Sequence, residues 1–477
     1  MPAVLDDTIC AIATPPGEGG IGVVRVSGPG ALDLAARVVS LRSRQSLHAL
    51  PVRRLVSADV VVPSGESSPT DRGGATGVSQ VIDEALVVVM RGPHSFTGED
   101  VVEVQCHGGM VVLDHICRAL LAAGCRLARP GEFTQRAFLN GRLDLAQAEA
   151  VLDTIRAKTA RSLAVAQAQR RGVLSREIEE LRSALVVALS HVEAALDFSD
   201  EDIAFVLPAD LTKLLTDLSS QLGRLLRSSE EGRICREGAL VAIVGRPNVG
   251  KSSLMNALLR QERAIVTPVP GTTRDLLEEV VQIGGIPVRL VDTAGIRATQ
   301  DPVETEGIKR SRLAWGDADL ALILLDGSEL LTDDDRAVLA SPEAFGALLV
   351  VNKRDLPQRL TLEEVRFACP ACAGIVEISA KELAGLDHLR ERVRDILTPH
   401  RLESAEGAMV TNLRHADALK RALEGIEQAT QSVKQGRAGE LVAMDLRIAA
   451  DALGEITGVI TTDEILQRIF AEFCIGK

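Results

Sequence analysis

The string Gly245-Arg-Pro-Asn-Val-Gly250-Lys251-Ser252 has the GxxxxGK[ST] form of a phosphate-binding loop and stands directly behind the apolar run Leu240–Val244. Its glycines let backbone N–H groups close around phosphate oxygens, Lys251 reaches the β and γ oxygens, and the Ser252 hydroxyl is placed to ligate Mg²⁺. A helix-forming segment, Ser253–Leu259, follows, so strand, loop and helix come in the order such a loop requires. These residues imply a bound nucleoside triphosphate.

The base is specified further along. Asp292-Thr293-Ala294-Gly295 follows the strand-like Val288–Val291, where Asp292 can reach Mg²⁺ through water and Gly295 can meet a γ-phosphate. After the apolar run Ala347–Val351 comes Asn352-Lys353-Arg354-Asp355, whose last carboxylate can accept both the ring and the exocyclic N–H groups of guanine. Adenine offers the opposite pattern at that edge and is refused. Ser379-Ala380-Lys381 resembles the last guanine-contacting element of the same superfamily. Each string alone reads equally well as a solvated turn. Four in this order, each behind a predicted strand, make GTP the nucleotide and a GTPase the activity.

Something larger must hold that module. It runs from 238 to 392, the middle third of 477 residues, so further units flank it. Apolar residues make up 46% and charged residues 25%, and no apolar run approaches the roughly 20 residues that span a bilayer. The start lacks the basic stretch and apolar core of a signal peptide, which places the protein in the cytoplasm with no membrane contact. A net charge of −13 argues against holding nucleic acid mainly through the protein's own phosphate contacts. With no Tyr, one Trp and nine Phe there are few platforms for base stacking, so any RNA contact is local or shared with a partner. The eight cysteines show no framework spacing, as expected of a reducing compartment. Cys369-Pro-Ala-Cys372 is a single CxxC without two further zinc ligands nearby, and reads as loop or core thiols.

Residues 1–122 carry strand-like segments at Ile21–Val26, Glu84–Met90 and Val101–Gln105 between Gly, Pro and Ser-rich loops. The longest loop, residues 63–77, has too few apolar residues to pack and is expected to be a disordered hairpin tip. From 123 to 237 the pattern turns to long amphipathic helices, including Leu145–Leu152 and Leu181–Leu196, and it resumes after the GTPase module over 393–477. The economical arrangement is a multidomain α+β and α/β protein. An N-terminal α+β domain precedes an all-helical domain built from both flanks, with a Ras-like P-loop GTPase domain inserted into it.

Several motifs together are similar to the MnmE (TrmE) family of tRNA-modification GTPases. They are the phosphate loop, Pro270-Gly-Thr-Thr-Arg-Asp275, Ala13-Thr-Pro-Pro-Gly17, Ser95-Phe-Thr-Gly-Glu-Asp100, His107-Gly-Gly109, Ala128-Arg-Pro-Gly-Glu-Phe133, Leu143-Asp-Leu-Ala-Gln-Ala-Glu149 and the ending Cys474-Ile-Gly-Lys477. The terminal Gly and Lys fit a prenylation signal poorly.

That resemblance implies a function. The family adds a carboxymethylaminomethyl or aminomethyl group to position 5 of the wobble uridine of certain tRNAs, together with the flavoprotein MnmG (GidA), with which it forms a heterotetramer. The carbon comes from a tetrahydrofolate derivative, 5-formyl or 5,10-methylene, bound to the N-terminal domain, which also dimerises to give a homodimer. Arg25, Glu103, Arg142 and Lys477 fall at the folate positions; Arg142 keeps the charge but not the geometry of the lysine a relative carries there. Cys474 is nominated for the modification chemistry.

For GTP, the resemblance assigns Asn248, Val249, Gly250, Lys251, Ser252 and Ser253, the segment Thr267, Pro268, Val269, Pro270, Gly271, Thr272 and Thr273, and Asp292, Thr293, Ala294 and Gly295. Asn352, Lys353, Asp355, Ser379, Ala380 and Lys381 complete the guanine side. Ser252 and Thr273 would hold Mg²⁺. Asn248, Thr267, Val269 and Thr272 would hold a K⁺ ion that replaces an arginine finger when two GTPase modules meet. Ile296 stands where Ras-like proteins carry a water-orienting glutamine, and the resemblance gives that role to Glu304. The competing reading is a regulatory or ribosome-assembly GTPase without modification chemistry.

Overall fold

The computed structural model describes residues 6–61, 80–197, 208–261, 279–292, 315–399 and 407–477. The chain forms two compact units, residues 1–152 with 457–477, and residues 153–456. The expected hairpin tip at 63–77 lies outside the described residues, as do Thr267–Thr273, Thr293–Gly295 and Glu304.

The first unit is built on a seven-stranded sheet in the order β3-β4-β5-β6-β2-β1-β7. The strands are β1 (Ile9–Ile12), β2 (Gly19–Ser27), β3 (Val39–Leu41), β4 (Val56–Val61), β5 (Val81–Met90), β6 (Val101–Gly108) and β7 (Arg126–Leu127). Neighbours are antiparallel except β1 and β7. Helices α1 (Ala31–Ala35) and α2 (Met110–Ala123) share a core with the sheet through Val24, Val26, Val102, Val104, Leu32, Leu113, Ile116 and Leu120. Each such fully buried side chain contributes about 1.5–3 kcal/mol relative to its exposed state.

Side chains alternate along a strand, so the residues between those valines emerge on the opposite face. Arg25 and Glu103 are two of them, and they stand directly opposite each other in the β2–β6 register. Helices α3 (Glu132–Leu139) and α4 (Leu145–Arg156) follow. The chain's last helix (Asp463–Ala471) returns to this unit, packing Leu466, Phe470 and the following Phe473 against Leu145, Ala148 and Leu152.

The second unit contains a six-stranded sheet in the order β13-β12-β11-β8-β10-β9. Its strands are β8 (Ala239–Val244), β9 (Glu279–Ile283), β10 (Ile286–Asp292), β11 (Leu320–Asp326), β12 (Leu348–Asn352) and β13 (Gly374–Glu377), all parallel apart from the β9–β10 hairpin. Every residue of β11 and β12 is buried, as continuous apolar runs in a parallel sheet should be. Helices on this sheet include α8 (Lys251–Gln261), α9 (Asp333–Leu339), α10 (Leu362–Ala368) and α11 (Leu386–Leu397).

The same unit holds α5 (Ala160–Arg170), α6 (Val173–Asp197), α7 (Pro208–Glu237), α12 (Leu413–Lys434) and α13 (Gly439–Thr457). At Gly232 of α7 a Cβ would stand 2.0 Å from the Val410 carbonyl oxygen, so only glycine lets the segment before α12 come this close. Ser228 of α7 also accepts the Val410 N–H at 3.1 Å. Segments from both flanks of the nucleotide module thus pack together. Among the described residues no helix is long and apolar enough to cross a membrane.

Candidate nucleotide site and a second site at the chain terminus

In an open parallel sheet, ligands bind beyond the carboxyl ends of the strands, and the phosphate loop, Asn352–Asp355 and Ser379–Lys381 sit there. The phosphate loop joins β8 to α8. Gly245 and Gly250 have φ of +153° and +101°, and a Cβ on Gly250 would stand 2.3 Å from the Asn352 amide nitrogen. Lys251 is buried and donates to the carbonyl oxygens of Gly245 (2.6 Å) and Arg246 (2.8 Å), which holds its ammonium inside the loop. Ser252 and Ser253 open the helix as exposed residues. Asn248 is exposed with φ +64°, a left-handed conformation that asparagine tolerates better than most side chains.

The guanine strings close on the same loop. Asn352, only 3% exposed, donates from Nδ2 to the Val249 carbonyl (2.8 Å) and accepts the Ala380 N–H on Oδ1 (3.0 Å). One side chain therefore joins the phosphate loop to both segments expected to meet guanine. Asp355 is exposed, accepts the Ser379 hydroxyl at 2.6 Å, and is held below the usual carboxylate range chiefly by that hydrogen bond, with Lys381 and Lys353 helping. Asp292 ends β10, beside Ile243 of β8.

Two residues here escaped the sequence reading. Asp326 ends β11 opposite Asn352 in the register, and Lys353 donates to it at 2.5 Å. Burial pushes its carboxyl up, but Lys353 and Ser328 outweigh that and lower it. Its signal was available, since Asp326 closes the apolar run Leu320–Leu325 as Asn352 closes the next one. Arg246 is the other: it bonds Glu329 and Asp335, and Asp335 also completes the capping box of α9 with Thr332. Nothing local in the sequence marks that pair.

Three of the four folate positions, Arg25, Glu103 and Lys477, come together in the first unit. Arg25 bonds Glu103 Oε1 through both Nε and Nη2 at 2.8 Å, and Nη1 points to the Gly476 carbonyl at 3.4 Å. Phe96 and Phe133 flank the guanidinium, with ring centroids 5.7 and 5.6 Å away, within cation–π range. The terminal segment is seated closely: the Gly131 N–H donates to the Cys474 carbonyl at 3.4 Å, and a Cβ on Gly476, φ +95°, would stand 2.2 Å from the Ile12 carbonyl oxygen. Lys477 is depressed by burial and by the Arg25 charge, with Glu103 and Cys474 opposing. The Cys474 side chain is exposed. Arg142 stands apart: it is exposed, beside Gly98, and among the described residues no hydrogen bond or ion pair joins it to Arg25, Glu103 or Lys477.

A charge network centred on the buried Arg136 and Glu132 lies in the same unit. Arg136, 1% exposed, bonds Asp7, Glu99 and Glu132, and Glu132 also takes Arg126 and the Arg129 N–H. Glu99 lies in the loop that carries Phe96, and Glu132 immediately precedes Phe133. Burial works against the Glu132 carboxylate, but Arg126 and the Arg129 N–H bring it from the ordinary 4.5 down to about 2.

The family model of the MnmE helical domain matches residues 145–474, and that of the GTP-binding protein TrmE N-terminus matches residues 8–142. The tRNA modification GTPase MnmE of Heliobacterium modesticaldum is 46% identical over 479 residues, covering 99% of this chain and 100% of the relative. That of Carboxydothermus hydrogenoformans is 44% identical over 474 residues, with 99% and 100% covered. The chain belongs to the MnmE family of tRNA modification GTPases. As a member of the MnmE family it is a GTP-binding enzyme, and its multidomain architecture with a Ras-like nucleotide domain is the one expected. The solved G domain of the T. maritima FeoB iron transporter is 27% identical, covering 33% of this chain and 98% of that chain, with a TM-score of 0.26; at that score the likeness carries no argument.

Proposed function

We propose that this protein couples GTP hydrolysis to modification of position 5 of the wobble uridine in certain tRNAs, adding a carboxymethylaminomethyl or aminomethyl group together with the flavoprotein MnmG. It works in the cytoplasm as a homodimer, with MnmG completing a heterotetramer, and a tetrahydrofolate derivative supplies the carbon. One observation carries the reading beyond family membership: Arg25, paired with Glu103, meets the Gly476 carbonyl across 451 residues of sequence, and both charges act on Lys477. A nucleotide switch alone has no use for such a cluster.

The residues fit the groups they would hold. Both Arg25 contacts fall on Oε1 of Glu103, so Oε2 is the acceptor for the amino and ring N–H groups of a pterin, while Lys477 and Arg25 supply cations for a glutamate tail. Arg142 would reach that tail only from the rim. In the nucleotide domain, Lys251 and the loop amides hold phosphates, Asp355 reads guanine, and Ser252 with Thr273 would ligate Mg²⁺. Asn248 would offer an amide oxygen to K⁺ beside Thr267, Val269 and Thr272, a set of hard oxygen donors. Bound K⁺ supplies the charge that an arginine finger provides elsewhere, and Glu304 would orient the attacking water. Cys474 and the residues after it serve the uridine chemistry.

Titration of the full-length protein with 5-formyltetrahydrofolate tests the reading. Saturable binding that is lost in Glu103→Ala, with GTP affinity unchanged, supports it. No binding to the wild type would leave a regulatory or ribosome-assembly GTPase.

A further inference from the structure

The two sites leave one chemistry-bearing motif unused, Cys369-Pro370-Ala371-Cys372 on the nucleotide domain. We propose that Cys369 and Cys372 are a reversible disulfide site, oxidised by a small dissolved disulfide of the glutathione type and reset by thiols.

The geometry comes from a turn. Helix α10 ends at Ala368, Pro370 and Ala371 form the turn, and the Cys372 N–H donates to the Cys369 carbonyl at 3.4 Å. A four-residue turn of this kind brings its outer Cα atoms within about 7 Å, and disulfides form at Cα separations of about 4.4–6.8 Å. Both residues are free thiols. The turn is also fixed from outside, since Gly346 donates to the Ala371 carbonyl at 3.0 Å, Ala373 to the Ala347 carbonyl at 2.9 Å, and Cys369 Sγ to the Ala344 carbonyl at 3.8 Å. Proline at the second position limits the freedom of the connecting residues further.

The two thiols differ in the way an exchange pair requires. Cys369 is 4% exposed within the core on one face of the sheet, whereas Cys372 lies half-buried at the edge of that core. Cys372 is thus the thiol a dissolved disulfide can reach, and Cys369 the one that resolves. In the first step the Cys372 thiolate attacks one sulfur of glutathione disulfide, forming a mixed disulfide and releasing one glutathione thiolate. In the second, Cys369 gives up its proton and displaces the remaining glutathione from Cys372, closing the protein disulfide. Two protein thiols are oxidised, one glutathione disulfide is reduced to two glutathione thiols, and the two protein protons pass to them through solvent. Burial and the neighbouring Cys372 push the Cys369 thiol up. A thiol of raised pKa is a poor leaving group, which makes the closed bond slow to reduce.

The place matters as well as the chemistry. The turn grips the residues just before β12 and β13, and those strands end in the two guanine-reading segments. A bond here would stiffen the base of both.

The test is to incubate the native full-length protein with glutathione disulfide, quench with acid, and map the cysteine peptides by mass. The expected result is that the peptide holding both residues becomes lighter by two hydrogen atoms, recovers with dithiothreitol, and in Cys369→Ser carries a lasting glutathione adduct on Cys372 instead. The exposed Cys474 reports in the same sample that the reagent was active. If Cys474 reacts while the wild-type 369–372 peptide keeps both thiols, or holds a lasting glutathione adduct, the proposal is overturned. The wild-type measurement decides by itself even if the serine variant folds poorly.

Discussion

At the scale of single residues, Asp355 is the one whose chemistry is most sharply defined. The Ser379 hydroxyl holds its carboxyl below the usual carboxylate range, which suits the guanine-accepting role proposed for it. Asp355→Asn puts a donor where guanine also donates. GTP affinity should fall by about 10²-fold or more, while xanthine nucleotides, which present an acceptor there, should gain; competition binding with GTP and XTP reads both at once. Glu304→Ala is expected to separate the other way, leaving GTP affinity intact while single-turnover hydrolysis drops by about 10²-fold. A parallel loss of binding would assign Glu304 to structure. The strings Gly245–Ser252, Asn352–Asp355 and Ser379–Lys381, which the fold brings together, stood out in the sequence because phosphate and guanine recognition demand fixed residue types at short spacing. Asp326 was passed over although it closes its apolar run as Asn352 closes the next, and Arg246 was not legible because its partners, Glu329 and Asp335, come from elements far along the chain.

At the scale of elements, α3 owes its place to charge as much as to packing. Arg136 on it is buried among carboxylates, and Glu132 at its start binds Arg126 of β7. Glu132 has a folded pKa of about 2 against an ordinary 4.5. A depressed carboxylate stabilises fully above its unfolded pKa and loses that contribution as pH falls through the folded one. Asp7, lowered by the same arginines despite the opposing effect of burial, acts in the same direction. Thermal midpoints should therefore fall steeply between pH 4.5 and about 2, followed through the first unit's own unfolding transition. Glu132→Gln should flatten that slope and lower stability at neutral pH by about 1–3 kcal/mol, because a buried neutral amide replaces the carboxylate while Arg126 and Arg136 keep Asp7 and Glu99 as partners. The strands β2, β5 and β6 were readable from alternation, and α6 from its apolar spacing. The register that sets Arg25 against Glu103 was not, since alternation assigns a face to each strand without saying which strands are neighbours.

At the scale of the whole molecule, the two proposed chemistries should come apart. Replacing K⁺ by Na⁺ at equal ionic strength should slow GTP turnover, and equal rates would remove Asn248 from any role in holding a cation. Deleting Ile475–Lys477 should leave GTP hydrolysis near wild type and abolish tRNA modification reconstituted with MnmG, folate and tRNA; full modification would show that the terminal segment only packs. That segment has a further consequence, in the time domain of synthesis. Arg25 and the Gly476 carbonyl are 451 residues apart, and at about 5–20 residues per second a ribosome takes roughly 20–90 s to travel between them. From the point in that interval when Leu152 has been made, the strands of the first unit are complete, and the apolar side chains of Leu145, Ala148 and Leu152 have no Phe470 or Phe473 to cover them. The part of the protein made first is thus finished last. The nascent chain should be a chaperone client through most of its translation, and slow codons between the two halves would lengthen its exposure.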